Sequence, residues 1–345
     1  MNSFFRSKHA LKKLLPLLFI SCFWFPLTIP AEGLANRPFL IKFATVAPTG
    51  STWMKHMKGL DRSLREKSEG KLGFRLYAGG VAGDELDVLR KIRIGQIHSA
   101  AFSGVGFGQI LPMVRILDLP FLFRDYHETD LVHRELKAFF SDQFRKKGFE
   151  LLAWAEVGNV HLFSKKPIRT LKDLSKLKIW AWTGDPIAKT TFSIMGSNPI
   201  PLSITDVTTA LNTGMIDTVY APPLGALALQ WHQYLHYMAG LPLTHSTGAV
   251  LLSTKTFKKI PSHLAKLLKK ESERAMANLT VELRGLTEES VKIIERSGIK
   301  RLPIPVEPDL QDFHRIHGQV AQALAGKIYP KALLDQVYRI LKRTE

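Results

Sequence analysis

Short apolar segments alternate with amphipathic ones between Phe39 and Phe102, and this alternation constrains the fold more than any other feature. Phe39–Val46 is an apolar run of strand length, and Thr52–Lys67 places Trp53, Met57, Leu60 and Leu64 on one helical face before Gly70 ends it. Leu72–Tyr77 reads as a second strand, Asp84–Ile94 as a helix stopped by Gly95, and His98–Phe102 as a third strand. Strands joined through helices over short loops predict an α/β fold with a mostly parallel, helix-covered sheet. Helix Asp130–Lys146 and strand Phe149–Val157 complete this group.

A second α/β group follows Pro167: strand Leu177–Trp182, helix Asp185–Met195, helix Ile204–Thr213 ended by Gly214, and strand Asp217–Tyr220. Gly248–Ser253 reads as a strand returning to the first group. From Pro261 to about Ser297, Leu264, Leu267, Leu268, Ala275, Leu279, Leu283 and Leu286 keep helical spacing, predicting one long helix able to brace both groups. The expected organisation is a two-lobed α/β fold, each lobe a sheet flanked by helices. Residues 36–157 with about 244–300 form one lobe, and 158–243 with about 301–345, including the C-terminal helices, form the other. Val157–Phe163 and Leu243–Gly248 are the expected crossings, a ligand cleft lies between the lobes, and the crossings act as a hinge.

The N-terminus carries a targeting signal, because Arg6, Lys8, Lys12 and Lys13 precede an apolar run from Leu14 to Ile29 that Pro16 and Pro26 interrupt. Gly33-Leu34-Ala35 supplies the small residues of a cleavage site, so residues 1–35 are assigned as a signal peptide and the mature chain begins at Asn36. Two alternatives stay open: an uncleaved anchor, and a lipid anchor at Cys22, the one cysteine, although Phe19-Ile20-Ser21 is a poor lipoprotein box. Cleavage at Ala35 leaves no thiol and so excludes disulfides, thiolate catalysis and cysteine metal sites. The formal charge is +18, and +15 remains beyond Ala35. Its basic residues are scattered along the chain without an aromatic-interleaved patch, so no nucleic-acid partner is expected.

Motifs for chemistry are missing. Gly104, Gly106 and Gly108 form G-x-G-x-G after a strand, which is not a dinucleotide fingerprint and reads as a loop entering a helix. His232 and His236 stand four apart on an expected helix, but no glutamate lies between them and they read, like His314 and His317, as packing or surface residues. No G-x-S-x-G elbow and no acid/base carboxylate pair occurs. Neither an enzyme, nor a metal, nor a cofactor is expected.

Val114–Tyr126 reads V-R-I-L-D-L-P-F-L-F-R-D-Y, which resembles the "l-P-F-L-F-r-d" segment of the solute-binding subunits of tripartite ATP-independent periplasmic (TRAP) transporters, the DctP-like family. Gly70-Lys71-Leu72 with Leu76-Tyr77-Ala78-Gly79, Leu89–Gly95, Leu171–Leu174 with Leu177-Lys178-Ile179, and Ala210–Asp217 are similar to further family segments in the same order. The resemblance runs from about Phe39 to Lys300. It implies two α/β lobes, a long bracing helix, closure around one small ligand, and two integral-membrane partner subunits. It also implies a carboxylate-binding arginine just after "l-K-i", where this chain has Trp180. A second family arginine corresponds to Val160 or Asn159, and the polar residue after "v-v-D" to Tyr220-Ala221-Pro222-Pro223.

Tryptophan offers a ring and one N–H where arginine offers a bidentate fork. The expected site is therefore a cleft lined by Trp180, Tyr220, Phe102, Trp53 and Trp154, with Asn159, His161 and Ser103 as orienting donors and acceptors, suited to an apolar or aromatic solute. Trp180 and Trp182, two apart on a strand, also fit a packed core. An exported hydrolase would need converging titratable groups in the cleft, and an adhesion protein would lack a closed cavity of small-molecule size.

Overall fold

The computed structural model describes residues 38–343; residues 1–35, expected above to be a signal peptide, and Cys22 with them lie outside the described residues. The strands are β1 (Phe39–Ala44), β2 (Leu72–Tyr77), β3 (Ser99–Ser103), β4 (Phe149–Ser164), β5 (Trp180–Trp182), β6 (Ile200–Leu202), β7 (Thr218–Ala221), β8 (Tyr237–Met238), β9 (Thr244–Ser253) and β10 (Lys300–Arg301). In the main sheet they run β10-β8-β4-β9-β3-β1-β2, with β7 also on β4 and β5-β6 as a separate parallel pair. Only β1/β2, β1/β3 and β8/β10 are parallel within that sheet; β9 is antiparallel to β3 and β4, and β4 to β7 and β8. The expectation of a mostly parallel sheet is thus corrected to a mixed one, because β9 returns from the second group and inserts antiparallel between β3 and β4.

Strand β4 is longer than expected. It runs 16 residues, first against β9 and then against β7 and β8. Its register shifts between Glu156 and Gly158, and Gly158 sits at φ +118°, a conformation open to glycine and costly for a residue with a Cβ. One continuous strand therefore pairs with β9 up to Val160, across the irregularity, and with β7 and β8 from His161 onward.

Local chemistry places the helices. Asp84 caps Glu85–Arg93 and its N–H bonds back to Asp87 Oδ2 at 3.3 Å, a reciprocal capping box. Helix Tyr126–Lys146 starts four residues ahead of the expected Asp130 because Asp125 accepts the Glu128 N–H at 2.9 Å. The long helix spans Ser262–Arg296, about 50 Å at helical rise. Its Leu268, Met276 and Leu279 share a core with Ile41, Phe43 and Val250, whereas Val291 and Ile294 share another with Trp180, Val219 and Trp231. A third core joins Phe140, Phe144 and Phe192 to Phe313, Val320 and Val337 of the C-terminal helices Asp309–Leu324 and Lys331–Ile340.

Candidate functional site

A cavity of about 590 Å³ opens between the end of β1, the start of helix Thr52–Lys67, the end of β3, β5, β7 and helix Pro186–Ile194. Its size suits one small organic molecule. Trp180, Tyr220, Phe102, Trp53 and Ser103 all line it. Trp180 is only 1% exposed: its ring stacks on Tyr220 with centroids 4.9 Å apart, meets Trp231 edge-on at 5.3 Å, and donates Nε1–H to Leu202 O at 3.1 Å. It is a fixed wall, part core and part lining. Trp53 is anchored through Nε1 to Glu156 O at 3.1 Å, and the Tyr220 hydroxyl accepts the Trp182 N–H at 3.2 Å.

Three expected lining residues lie elsewhere. Trp154 is packed among Phe107, Phe140 and Phe144 and stacked on His133 at 5.4 Å, on the sheet face covered by helix Tyr126–Lys146. Asn159 bonds the Tyr126 hydroxyl at 3.4 Å and His245 Nδ1 at 3.0 Å, and His161 Nδ1 bonds Ala239 O at 2.9 Å. Bulges between Leu151 and Ala153 and between Glu156 and Gly158 shift the register of β4 against β9 along this stretch. His232 sits in a one-turn helix Trp231–Tyr234 that ends before His236, and His317 bonds Pro120 O and Tyr338 Oη at 2.8 Å each, so these pairs are packing groups.

The charged residues of the lining are not those expected. Among the described residues they are Glu85, Arg115, Asp118 and Asp185. Arg115, 5% exposed, donates Nη1–H to Asp118 Oδ2 at 2.9 Å and Nη2–H to Asp185 Oδ1 at 2.5 Å. Asp118 also accepts the Thr247 N–H at 3.1 Å; burial still pushes its carboxyl up to about 6, against the lowering effect of Arg115. Asp185 caps helix Pro186–Ile194 through the Ile187 and Ala188 N–H groups and approaches the Tyr220 hydroxyl at 3.4 Å. Burial and the neighbouring Asp185 hold Tyr220 well above the ordinary tyrosine range, so its hydroxyl stays protonated.

Gly104, Gly106 and Gly108 make room for these groups. The segment does enter a short helix, Gly104–Gly108 capped by Ser103. A Cβ on Gly104 would lie 1.9 Å from Arg115 Nη1, one on Gly106 would lie 2.5 Å from Glu85 Oε2, and one on Gly108 would lie 2.5 Å from Arg115 Cδ. The G-x-G-x-G pattern is a socket for buried charge, and it was the sequence signal that could have revealed Arg115.

At the irregularity of β4, Arg284 of the long helix donates Nε–H to Glu156 at 2.9 Å and pairs with Asp130 at 2.6 and 2.8 Å, its guanidinium 4.4 Å from the Tyr126 ring centre. Burial drives His245 down to about 3 and His133 down to about 4, so both rings are neutral there.

The profile of the family described as bacterial extracellular solute-binding protein, family 7 (DctP), matches residues 43–327. The chain belongs to that family. Family 7 relatives include the 2,3-diketo-L-gulonate-binding periplasmic protein of Escherichia coli K12, 28% identical over 76% of this chain and 79% of its own. The sialic acid-binding periplasmic protein of Vibrio cholerae is 22% identical over 83% of this chain and 88% of its own. Among solved structures, the sugar acid binding protein of Advenella mimigardefordensis with galactonate superposes with a TM-score of 0.84, covering 89% of this chain and 98% of that one at 19% identity. A TRAP periplasmic solute binding protein of Pseudomonas putida F1 with D-glucuronate gives 0.79 over 87% and 96%, at 26% identity. These likenesses establish the two-lobed α/β fold of TRAP solute-binding proteins for this family 7 chain.

Proposed function

We propose that this protein captures one small organic solute in the cavity bounded by Trp180, Tyr220, Phe102 and Trp53, with Ser103 at its rim, and delivers it without turnover to the membrane subunits of a TRAP transporter. It works in the periplasm, with residues 1–35 as its signal; Cys22 acylation is the anchored alternative. The lobes are residues 36–157 with about 244–300, and 158–243 with about 301–345, a division supported by the bulge of β4 at Glu156–Gly158 and the change of its partner from β9 to β7 between Val160 and His161.

The solute is apolar or aromatic. The relatives named above bind sugar acids, but this reading rests on one observation: the single lining cation among the described residues, Arg115, has both terminal nitrogens committed to Asp118 and Asp185, while Trp180 fills the position of the expected carboxylate-binding arginine. Mass spectrometry of the small molecule that co-purifies with the exported protein tests the reading. An apolar or aromatic compound is expected; a sugar acid at stoichiometric occupancy overturns it.

A further inference from the structure

The Glu85 carboxyl lies in the cavity wall, 3% exposed, with no cation against it. Its Oε1 accepts the Ser103 N–H at 2.8 Å, and its Oε2 accepts Ser103 Oγ–H at 3.0 Å and the Gly106 N–H at 2.7 Å, all uncharged donors. The adjoining charge on its own helix is negative: Asp84, which takes Trp182 Nε1–H and Ser203 Oγ–H. Strand β3 and helix Gly104–Gly108, packed on the other side, bring no charge. The remaining charged lining groups are Asp118 and Asp185, joined through Arg115. The lining thus holds three carboxyls to one guanidinium.

Burying a charge without a partner is costly, and a second charge of the same sign in a low-dielectric pocket adds to the cost. A carboxylate solute would meet that penalty twice, because Arg115 is already shared by Asp118 and Asp185, leaving only its buried Nε–H without a partner, and Glu85 would repel it. We propose that the solute carries a protonated nitrogen that pairs with the Glu85 carboxylate, its apolar body lying among the aromatic rings: an organic ammonium, not an acid. The proposal rests on reading this cavity as the solute site. Oε1 has spent one acceptor position and keeps another for an N–H⁺ donor, and such charge-assisted bonds are the strong ones. Trp53, Trp182 and Tyr220 present rings to the same space, and ring faces attract cations. Burial pushes Glu85 up to about 7, so the empty pocket sheds part of its penalty by protonating; an arriving ammonium displaces that proton, and affinity should rise from pH 6 to pH 8.

The test uses matched sets with one body and three head groups: 2-phenylethylamine, 2-phenylethanol and phenylacetate, and the corresponding indole set, titrated calorimetrically against the mature protein and against Glu85→Gln. The amines should bind at least about tenfold tighter than the alcohols, and the carboxylates weaker than both. In Glu85→Gln, with folding checked by circular dichroism, the amine-to-alcohol ratio should fall towards one. If that variant does not fold, the wild-type order and its pH trend decide. Amines no tighter than alcohols, or a ratio unmoved by Glu85→Gln, overturn the ammonium and leave the apolar-solute reading standing. Carboxylates binding best would sink both. Failure of every amine to bind at millimolar concentration overturns the ammonium alone, since co-purified material decides the other reading.

Discussion

Trp182 Nε1 donates to both carboxylate oxygens of Asp84, at 2.9 and 3.0 Å, tying β5 to the cap of helix Glu85–Arg93. Ser203 Oγ–H to Asp84 at 2.6 Å, Gln109 Nε2–H to Gly184 O at 3.0 Å and Arg115 to Asp185 span the same gap. Side chains of the protein itself therefore tie these walls of the cavity together. A buried hydrogen bond to a charged acceptor contributes about 2 kcal/mol, roughly thirtyfold in a closed-to-open ratio. Trp182→Phe should enlarge the ligand-free radius of gyration in solution scattering, and saturating ligand should reverse the change. An identical radius for variant and wild type, with and without ligand, would rule out hinge closure through this contact.

Trp180 is at once wall and core, so its removal has two effects. Trp180→Ala should cost about 3–5 kcal/mol in denaturant unfolding, because the cavity left under Tyr220 and Trp231 cannot collapse. Trp180→Phe should keep most of that stability but lose the Nε1–H bond to Leu202 O. Unfolding midpoints measured beside solute affinity separate packing from recognition; an unaltered midpoint for Trp180→Ala contradicts the packing assigned to it.

The glycine socket predicts opposite signs for one chemical change. Gly106→Ala puts a methyl 2.2 Å from Phe102 Cδ1 and 2.5 Å from Glu85 Oε2, and should destabilise by about 1–3 kcal/mol or more. Gly285→Ala, within the long helix with open space around it, should stabilise by about 0.5–1 kcal/mol. Thermal unfolding of the two variants side by side checks the contrast.

Stability against pH should reflect two opposed sets of groups. His245 and His133 titrate at about 3 and about 4 when folded, against 6.5 ordinarily, so below pH 6.5 the unfolded chain binds protons that the fold refuses, and stability falls on acidification. Glu85 titrates at about 7 when folded against 4.5, and Asp118 at about 6 against 3.8; their contribution is present at low pH and is lost as pH rises through those folded values. Between pH 4.5 and 6.5 the two partly cancel. Glu85→Gln should steepen the loss of stability on acidification, and His245→Gln should flatten it. Equal slopes in both variants and the wild type would show that these groups are not buried as described.

The Arg115 triad should be intolerant of partial dismantling. Arg115→Met leaves Asp118 and Asp185 buried without their cation and should destabilise by about 3–5 kcal/mol, with partial recovery on acidification as Asp118, relieved of the lowering effect of Arg115, takes up a proton. Denaturant titrations at pH 5 and pH 8 read both effects.

Element order and most boundaries were legible because caps and periodicity are local: Asp84, Gly95, Gly214 and Pro261 stop or start helices where their chemistry requires. Trp180, Tyr220, Phe102, Trp53 and Ser103 were legible as cavity residues from strand ends and the family resemblance. Trp154, Asn159 and His161 pack away from this cavity, against Phe140, Tyr126, His245 and Ala239, and no local pattern in the sequence announces those distant partners. Arg115 was passed over inside a motif quoted for its neighbours; its meaning depends on Asp185, seventy residues away. Glu85 lay unremarked within the expected helix Asp84–Ile94, and only the fold brings Ser103 and Gly106 against it.

The socket at Gly104, Gly106 and Gly108 also ties the substitutions of this pocket to one another. A methyl at 104 or 108 would meet the Arg115 side chain and one at 106 the Phe102 ring and Glu85 carboxyl, so each requires those side chains to move. Grafting only the visible lining residues onto a sugar-acid-binding relative should therefore fail to transfer this pocket, because its specificity is written partly in atoms that are absent.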